Sequence, residues 1–303
     1  MTVRRCSFLL SAILLCAVPA GAQDLEPRAY SPSPVGLNIA LLSYVHSSGG
    51  VVTDPSIPIQ NIDAKINTGV LYYGRTFGLL GRSASASVIL PYAWGRISGD
   101  VGEERREITR AGLGDMRLRL AVNLLGTPAL TPKEFATRPP RTTLGASLTV
   151  GAPNGQYDET CLINLGANRW AFKPEIGLSH PMGPWVFELY AGAWFFTPND
   201  DFFGGVRRTQ QPIGVLQGHV GYIFRPGLWL AADGTWYSGG KTTVDGVRKE
   251  DLQANTRVGV TLSVPFGRSQ SVKLAWATGA TTRLGQDFDT YAIAWQYRWA
   301  SGP

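Results

Sequence analysis

Apolar and polar residues alternate along most of this chain. Twelve segments show the pattern: residues 36–46, 64–76, 83–97, 114–125, 142–150, 166–180, 185–196, 212–224, 228–238, 252–264, 271–278 and 289–299. A period of two puts one residue class on each face of a β-strand. In residues 114–125, Met116, Leu118, Leu120, Val122 and Leu124 oppose Asp115, Arg117, Arg119, Ala121 and Asn123. In residues 252–264, Ala254, Thr256, Val258, Val260, Leu262 and Val264 oppose Asn255, Arg257, Thr261 and Ser263. In residues 166–180, Trp170, Phe172, Ile176 and Leu178 oppose Arg169, Lys173, Glu175 and Ser179. Pro174 withholds a ladder donor there, which predicts a bulge. The last segment carries the heaviest aromatic load, with Tyr291, Ile293, Trp295, Tyr297 and Trp299 on one face and Ala292, Ala294, Gln296 and Arg298 on the other.

This repetition predicts an all-β fold, a closed antiparallel transmembrane β-barrel of about 12 strands in up-and-down order. Closure requires the last strand to pair with residues 271–278 and with residues 36–46, its apolar face toward lipid and Gln296 and Arg298 inward. Long polar connections (47–63, 99–113, 151–165, 197–211, 239–251 and 279–288) alternate with short ones (77–82, 181–184, 225–227 and 265–270). In such barrels the long connections are extracellular and the short ones periplasmic. Residues 126–141 break the rule, because this link falls on the short side yet is long and rich in Thr and Pro, which predicts a small helix or plug. Tyr92, Trp94, Trp185, Trp236 and Trp299 lie near strand ends, as in interfacial girdles. The competing architecture, a secreted β-sandwich or soluble barrel with its aromatics buried, does not account for apolar faces on so many consecutive strands.

The N-terminus predicts export. Arg4 and Arg5 precede an apolar run from Phe8 to Val18, and Ala20-Gly21-Ala22 supplies small residues for cleavage after Ala22. The expected plan is a signal peptide (residues 1–22), a periplasmic N-terminal segment (23–35), an outer-membrane barrel (36–299) and a tail (300–303). Cleavage takes the formal charge from +6 to +4 and leaves Cys161 as the last cysteine, so neither an internal disulfide nor a thiolate metal cluster is expected. The mild basic excess does not point to nucleic acid. A mean hydropathy close to zero beside 36 Gly and nine Trp fits apolar residues diluted by alternation.

The face opposite the apolar one would line the lumen. It carries nine basic residues, Lys65, Arg75, Arg117, Arg119, Arg169, Lys173, Arg257, Lys273 and Arg298, against five acidic ones, Asp63, Asp115, Glu175, Glu188 and Asp233. An open lumen would favour anions or polarisable solutes, whereas a filled one would pair these charges across strands, with Glu188 and Lys173 as plausible partners. Tyr190, Trp194 and Phe196 could point inward, as a sliding surface or as packing. Catalytic signatures are weak. Ser179 and His180 face opposite sides of a strand, no GxSxG or HExxH spacing occurs, and no helix-forming pattern follows Gly112-Leu113-Gly114-Asp115. No catalytic residue, cofactor or metal is expected.

Gly112-Leu113-Gly114-Asp115-Met116-Arg117-Leu118, Pro153-Asn154-Gly155-Gln156-Tyr157-Asp158, Leu165-Gly166-Ala167-Asn168-Arg169-Trp170, Lys173-Pro174-Glu175-Ile176-Gly177, Gly239-Gly240-Lys241 followed by Asp245-Gly246, and Asn255-Thr256-Arg257-Val258-Gly259 are motifs that together resemble the meta-pathway phenol-degradation family of outer-membrane proteins. The resemblance implies an outer-membrane barrel that handles aromatic compounds as a transporter, and it brings no catalytic residues. The expected function is a porin-like channel for small, aromatic or hydrophobic solutes. Its expected partners are outer-membrane lipid, a small-molecule solute and the barrel-assembly machinery. A barrel-wall lipid hydrolase, or an adhesive barrel acting through its loops, is the alternative.

Overall fold

The computed structural model describes residues 26–52, 59–102 and 104–300, so the expected signal peptide lies outside the described residues. Strands β1 (Leu37–Val52), β2 (Ile59–Leu79), β3 (Arg82–Val101), β4 (Glu104–Leu113) and β5 (Arg117–Leu125) precede helix α1 (Pro132–Ala136). Then come β6 (Thr143–Gly151), β7 (Ala171–Met182), β8 (Trp185–Phe196), β9 (Asn199–Phe202), β10 (Val206–Gln210), β11 (Ile213–Arg225) and β12 (Leu228–Gly239). Strands β13 (Thr242–Val244), β14 (Val247–Arg248), β15 (Gln253–Phe266), β16 (Gln270–Thr281) and β17 (Gly285–Ala300) complete the chain.

Neighbouring wall strands pair antiparallel, and β17 pairs with both β16 and β1, so the sheet closes. One half of β3 pairs with β4 and the other with β5, which makes β4 and β5 a single wall member and the barrel twelve-membered. Closure gives the ring members partners on both sides, as a lipid environment demands of any sheet, while β4 pairs with β3 alone. The last strand has the expected orientation. Tyr291, Ile293, Trp295, Tyr297 and Trp299 are exposed on the outer face, while Gln296 is buried inside. Tyr92, Trp94, Trp185 and Trp236 also stand on the outer face. Tight turns join β2 to β3, β7 to β8, β11 to β12 and β15 to β16, all at one rim, the periplasmic rim in barrels of this class.

Four expectations need correction. The connection 99–113 is not a loop: β3 and β4 run on as a hairpin held by cross-strand pairs such as Arg96–Glu107 at 3.2 Å and Arg105–Asp100 at 3.1 Å. Such charged pairs support a ladder in a segment where Val101, Ile108 and Thr109 are the few β-branched residues that signal a strand. The connections 197–211 and 239–251 contain β9, β10, β13 and β14, which form a separate four-stranded sheet. Residues 166–170 precede β7 rather than belonging to it. Pro174 causes no bulge. It sits in register opposite Leu148, and the ladder to β8 omits Lys173 and Pro174 without shifting.

Lys65 and Arg75 are also corrected, since both are exposed on the outer face, as is the parity of Asp63. The inward row of β2 contains Ile62, Ala64, Ile66, Thr68 and Thr76, and the outward row contains Leu71 and Tyr73. The reason is length. A spanning strand needs about 9–11 residues, and β2 has 21. Ten residue steps separate Lys65 from Arg75, or about 24 Å of height for a strand tilted by about 45°. That matches an apolar band of roughly 25 Å, so both cations sit at its edges, where outward charge costs little. Leu71 lies between them on the same face. Leu71→Arg should therefore lower barrel stability by about 2–4 kcal/mol in liposome-based unfolding titrations, whereas Arg75→Leu should leave the midpoint nearly unchanged.

Candidate functional site

The interior divides into a charged part that surrounds the N-terminal segment and a part nearer the long loops that holds a cavity of mainly apolar surface, which Arg110, Asp115, Arg117 and Arg169 also line. The expected periplasmic segment instead enters the charged part. Gly36 donates its backbone N–H to the Thr76 carbonyl at 2.9 Å, and the Thr76 hydroxyl donates to the Pro34 carbonyl at 2.6 Å. These bonds fix the segment at the rim, and residues 28–31 then rise into the lumen. Tyr30 is 1% exposed and bonds Ser147 at 2.8 Å and Glu175 at 3.1 Å. Its ring meets Tyr190 edge-on at 5.0 Å. Gly145 and Gly177 make the space: a Cβ at either would lie 2.3 or 2.2 Å from the Tyr30 ring. The Arg28 backbone N–H donates to Glu188 at 2.6 Å.

Interior charges are matched locally. Glu175 pairs with Lys173 at 3.0 Å and approaches Arg119 at 3.8 Å. Glu188 accepts from Ser179 at 2.9 Å, so the expected Glu188–Lys173 pair does not form. Register explains this, because Glu188 lies directly opposite Ser179 while Lys173 lies six residues along β7. His219 Nδ1 and Asp233 are 2.7 Å apart, and Asp233 also accepts from Thr261 at 2.8 Å. Arg257 donates to the Phe288 carbonyl at 2.9 Å. Cations also lie over rings: Arg169 over Phe196 at 4.3 Å, Lys173 over Trp194 at 5.5 Å, Arg119 over Tyr30 at 5.0 Å, and both Arg28 and Lys273 over Trp229 at 5.5 and 5.9 Å. Attraction to the aromatic quadrupole offsets part of the cost of desolvating these cations. Arg117 and Arg298 share the inward face.

The other part holds a partly open cavity of about 120 Å³, lined mainly by apolar groups, among them Ile66, Pro91, Ala93, Ile97, Trp194 and Phe196. The chain between β6 and β7 folds inward to roof it, and Ile163 packs against Ile62, Val51 and Ile97. Asp115 holds this roof. Its carboxylate accepts the backbone N–H groups of Gly155 at 2.9 Å and Ala167 at 2.8 Å, while Asn154 accepts the Met116 N–H at 2.8 Å. A Cβ on Gly166 would come within 2.7 Å of the Gly155 backbone, so the two loop strands touch only because neither carries a side chain. At the roof's apex, bonds from the Thr160 hydroxyl and N–H hold the Asp158 carboxyl below its ordinary range. The Gly-Leu-Gly-Asp, Pro-Asn-Gly and Leu-Gly-Ala-Asn motifs are thus parts of one roof clasp.

The structure therefore brings Glu175, Lys173, Arg119, Glu188 and Tyr190 together around Tyr30, and Trp194 with Arg169 at the cavity. Asp115 lines the same cavity, with Arg117, while it ties the roof, and Lys65 and Arg75 are separated because they face out. Sequence reasoning missed His219, Trp229, Arg28 and Tyr30. The first two were within reach of parity, since Trp229, Ala231, Asp233, Thr235 and Tyr237 form one buried row, and His219 lies opposite Asp233. No periodic signal marks Arg28 or Tyr30, which precede the first strand. His46 bonds Asn67 at 2.9 Å and His180 bonds Thr142 at 2.8 Å, so the histidines engage amide, hydroxyl and carboxylate partners in three separate places.

The family described as "Putative MetA-pathway of phenol degradation" matches residues 46–295, and the chain belongs to it. The COG4313 outer membrane channel from Pseudomonas putida F1 resembles it with a TM-score of 0.77 at 23% identity, over 91% of this chain and 100% of that one. The β domain of the Bordetella autotransporter BrkA gives 0.52 at 13% identity, over 88% and 100%. The transport unit of the autotransporter AIDA-I from Escherichia coli gives 0.50 at 10% identity, over 94% and 95%. At these identities the likeness is one of fold. No curated protein matches the chain by sequence.

Proposed function

We propose that the barrel is an outer-membrane channel that admits small apolar or aromatic solutes. On this reading it is exported, inserted by the barrel-assembly machinery and surrounded by outer-membrane lipid. The observation that carries the reading is the mainly apolar surface of this cavity within a lumen rich in charged groups. Its volume of about 120 Å³ is close to the roughly 150 Å³ of an apolar cavity known to hold one benzene ring. Trp194 and Phe196, stacked at 6.4 Å, offer a flat wall to such a ring. Ionic solutes would meet the paired charges below and the seated N-terminal segment, so the design disfavours them. The family and the fold of its structural relatives support a channel, and the choice of solute rests on the cavity.

Toluene binding to the detergent-solubilised protein tests this through Trp fluorescence. Ala93→Trp places a large side chain in the cavity and should weaken binding by about tenfold or more, a loss of roughly 1.4 kcal/mol. Equal toluene affinity in Ala93→Trp and the parent would refute the cavity as the solute site. Glucose should leave the fluorescence of both proteins unchanged.

A further inference from the structure

The long link between β5 and β6 is the most elaborately built connection at the tight-turn rim, and its Leu130 carbonyl accepts the Val35 N–H at 2.8 Å. Thr127 is fully buried, bonds Thr143 at 3.1 Å and accepts the Ser83 N–H at 3.2 Å through its carbonyl. The Ala129 N–H donates to Gly81 at 3.0 Å, which ties the link under the β2–β3 turn. Helix α1 follows, closed by a reciprocal cap in which Thr131 donates to Glu134 at 2.9 Å through its N–H and at 2.8 Å through its hydroxyl. Those bonds hold the Glu134 carboxyl below its ordinary range and use it within the cap. The chain then returns through Arg138 and Arg141.

This path gathers three guanidinium groups. Arg82, Arg138 and Arg141 line a concavity of about 360 Å³, together with Thr127 and Leu130 and with no carboxylate among the lining residues. One terminal nitrogen of Arg138, Nη2, is buried and meets no hydrogen-bond acceptor among the described residues. Burial, and then the Arg141 charge, hold the Arg138 guanidinium below its ordinary range. A like-charge cluster with a buried, unsatisfied donor is unfavourable by itself and calls for an anion. Its location specifies which one. Arg82 lies on the outward row of β3, in line with Leu90, Tyr92 and Trp94, and the exposed Leu79, Leu80 (95% exposed), Leu124 and Leu125 belong to the same rim. Basic groups beside outward leucines match a phosphate joined to acyl chains.

We propose that Arg82, Arg138 and Arg141 hold the phosphate of a membrane phospholipid at the tight-turn rim, and that the β5–β6 link is long because it builds this site. Native mass spectrometry of the full chain in detergent tests the proposal with three probes: phosphatidylglycerol, diacylglycerol with the same acyl chains, and inorganic phosphate. Phosphatidylglycerol should be retained about tenfold better than diacylglycerol, and Arg138→Gln with Arg141→Gln should remove about that factor. Arg138→Lys with Arg141→Lys should keep part of it, because charge survives while the forked donor is lost. Heat-modifiable gel migration checks that each variant is folded. Equal retention of diacylglycerol, undiminished retention by the folded Gln variant, or displacement of the lipid by inorganic phosphate that binds on its own would each overturn the proposal.

Discussion

Gly177→Ala is expected to unseat the N-terminal segment and raise single-channel conductance severalfold in planar bilayers. A methyl group there would stand 2.2 Å from the Tyr30 ring and 2.9 Å from Tyr190, and neither distance is tolerable. Tyr190 is walled in by its strand, by His219 at 5.0 Å and by its own burial. Tyr30 sits on a segment with no ladder bonds and is the group free to move. Its exit would cost the bonds to Ser147 and Glu175 and the edge contact with Tyr190. The Thr76 and Arg28 contacts would still tether the segment. Tyr30→Ala should raise conductance as well, and Gly177→Ala should add little on top of it, since the two changes act through one contact. Parental conductance in both single variants would show that the segment does not limit the path.

Glu175→Ala is expected to lower stability by about 1–3 kcal/mol, the cost of removing one partner from buried cations that keep the Glu26 carboxylate nearby. Lys173 lies 3.0 Å and Arg119 3.8 Å from this carboxylate, and the three side chains are almost fully enclosed, while the Glu26 carboxylate acts on both cations as well. Urea titration of the barrel in liposomes, followed by Trp fluorescence, measures the change. Lys173→Met with Glu175→Leu should recover most of the loss, because replacing a buried pair with apolar groups of similar volume is often neutral. A midpoint unchanged by Glu175→Ala would mean that water or the Glu26 carboxylate already compensates these cations. The same carboxylate accepts from Tyr30, so its removal should also loosen the N-terminal segment and raise conductance.

The wall was legible because the signal that marks it is the one that builds it. Lipid outside and a polar interior impose strict alternation, and β17 shows it residue by residue. The hairpin of β3 and β4 and the strands β9, β10, β13 and β14 stand beyond the band. No lipid selects their outward residues, so they read as loops. Lys65 and Arg75 were misplaced for a related reason. Parity relates residues within one strand but does not say which face is inward, and a charged residue on an alternating strand reads as lumenal. At the ends of a strand longer than the bilayer that inference fails, because outward charge is already in the headgroup region.

The interior depended on contacts between segments far apart in the chain. Arg119, Lys173, Glu175, Glu188 and Tyr190 could be found by alternation, but their pairing could not. Glu188 meets Ser179 because of the β7–β8 register, and Glu175 serves Lys173, Arg119 and Tyr30 at once. The clasp motifs were visible as motifs, yet their work depends on Asp115 meeting Gly155 and Ala167, which are 40 and 52 residues away. The sequence by itself determined an antiparallel barrel, its approximate strand number, its closing strand and its lipid-facing surface, since each follows from a local period of two. Only the tertiary structure decided that the N-terminal segment enters the lumen, that the β6–β7 chain roofs an apolar cavity and that three arginines meet beneath the rim. Those outcomes turn on register, side-chain volume and loop closure, and no local periodicity encodes them.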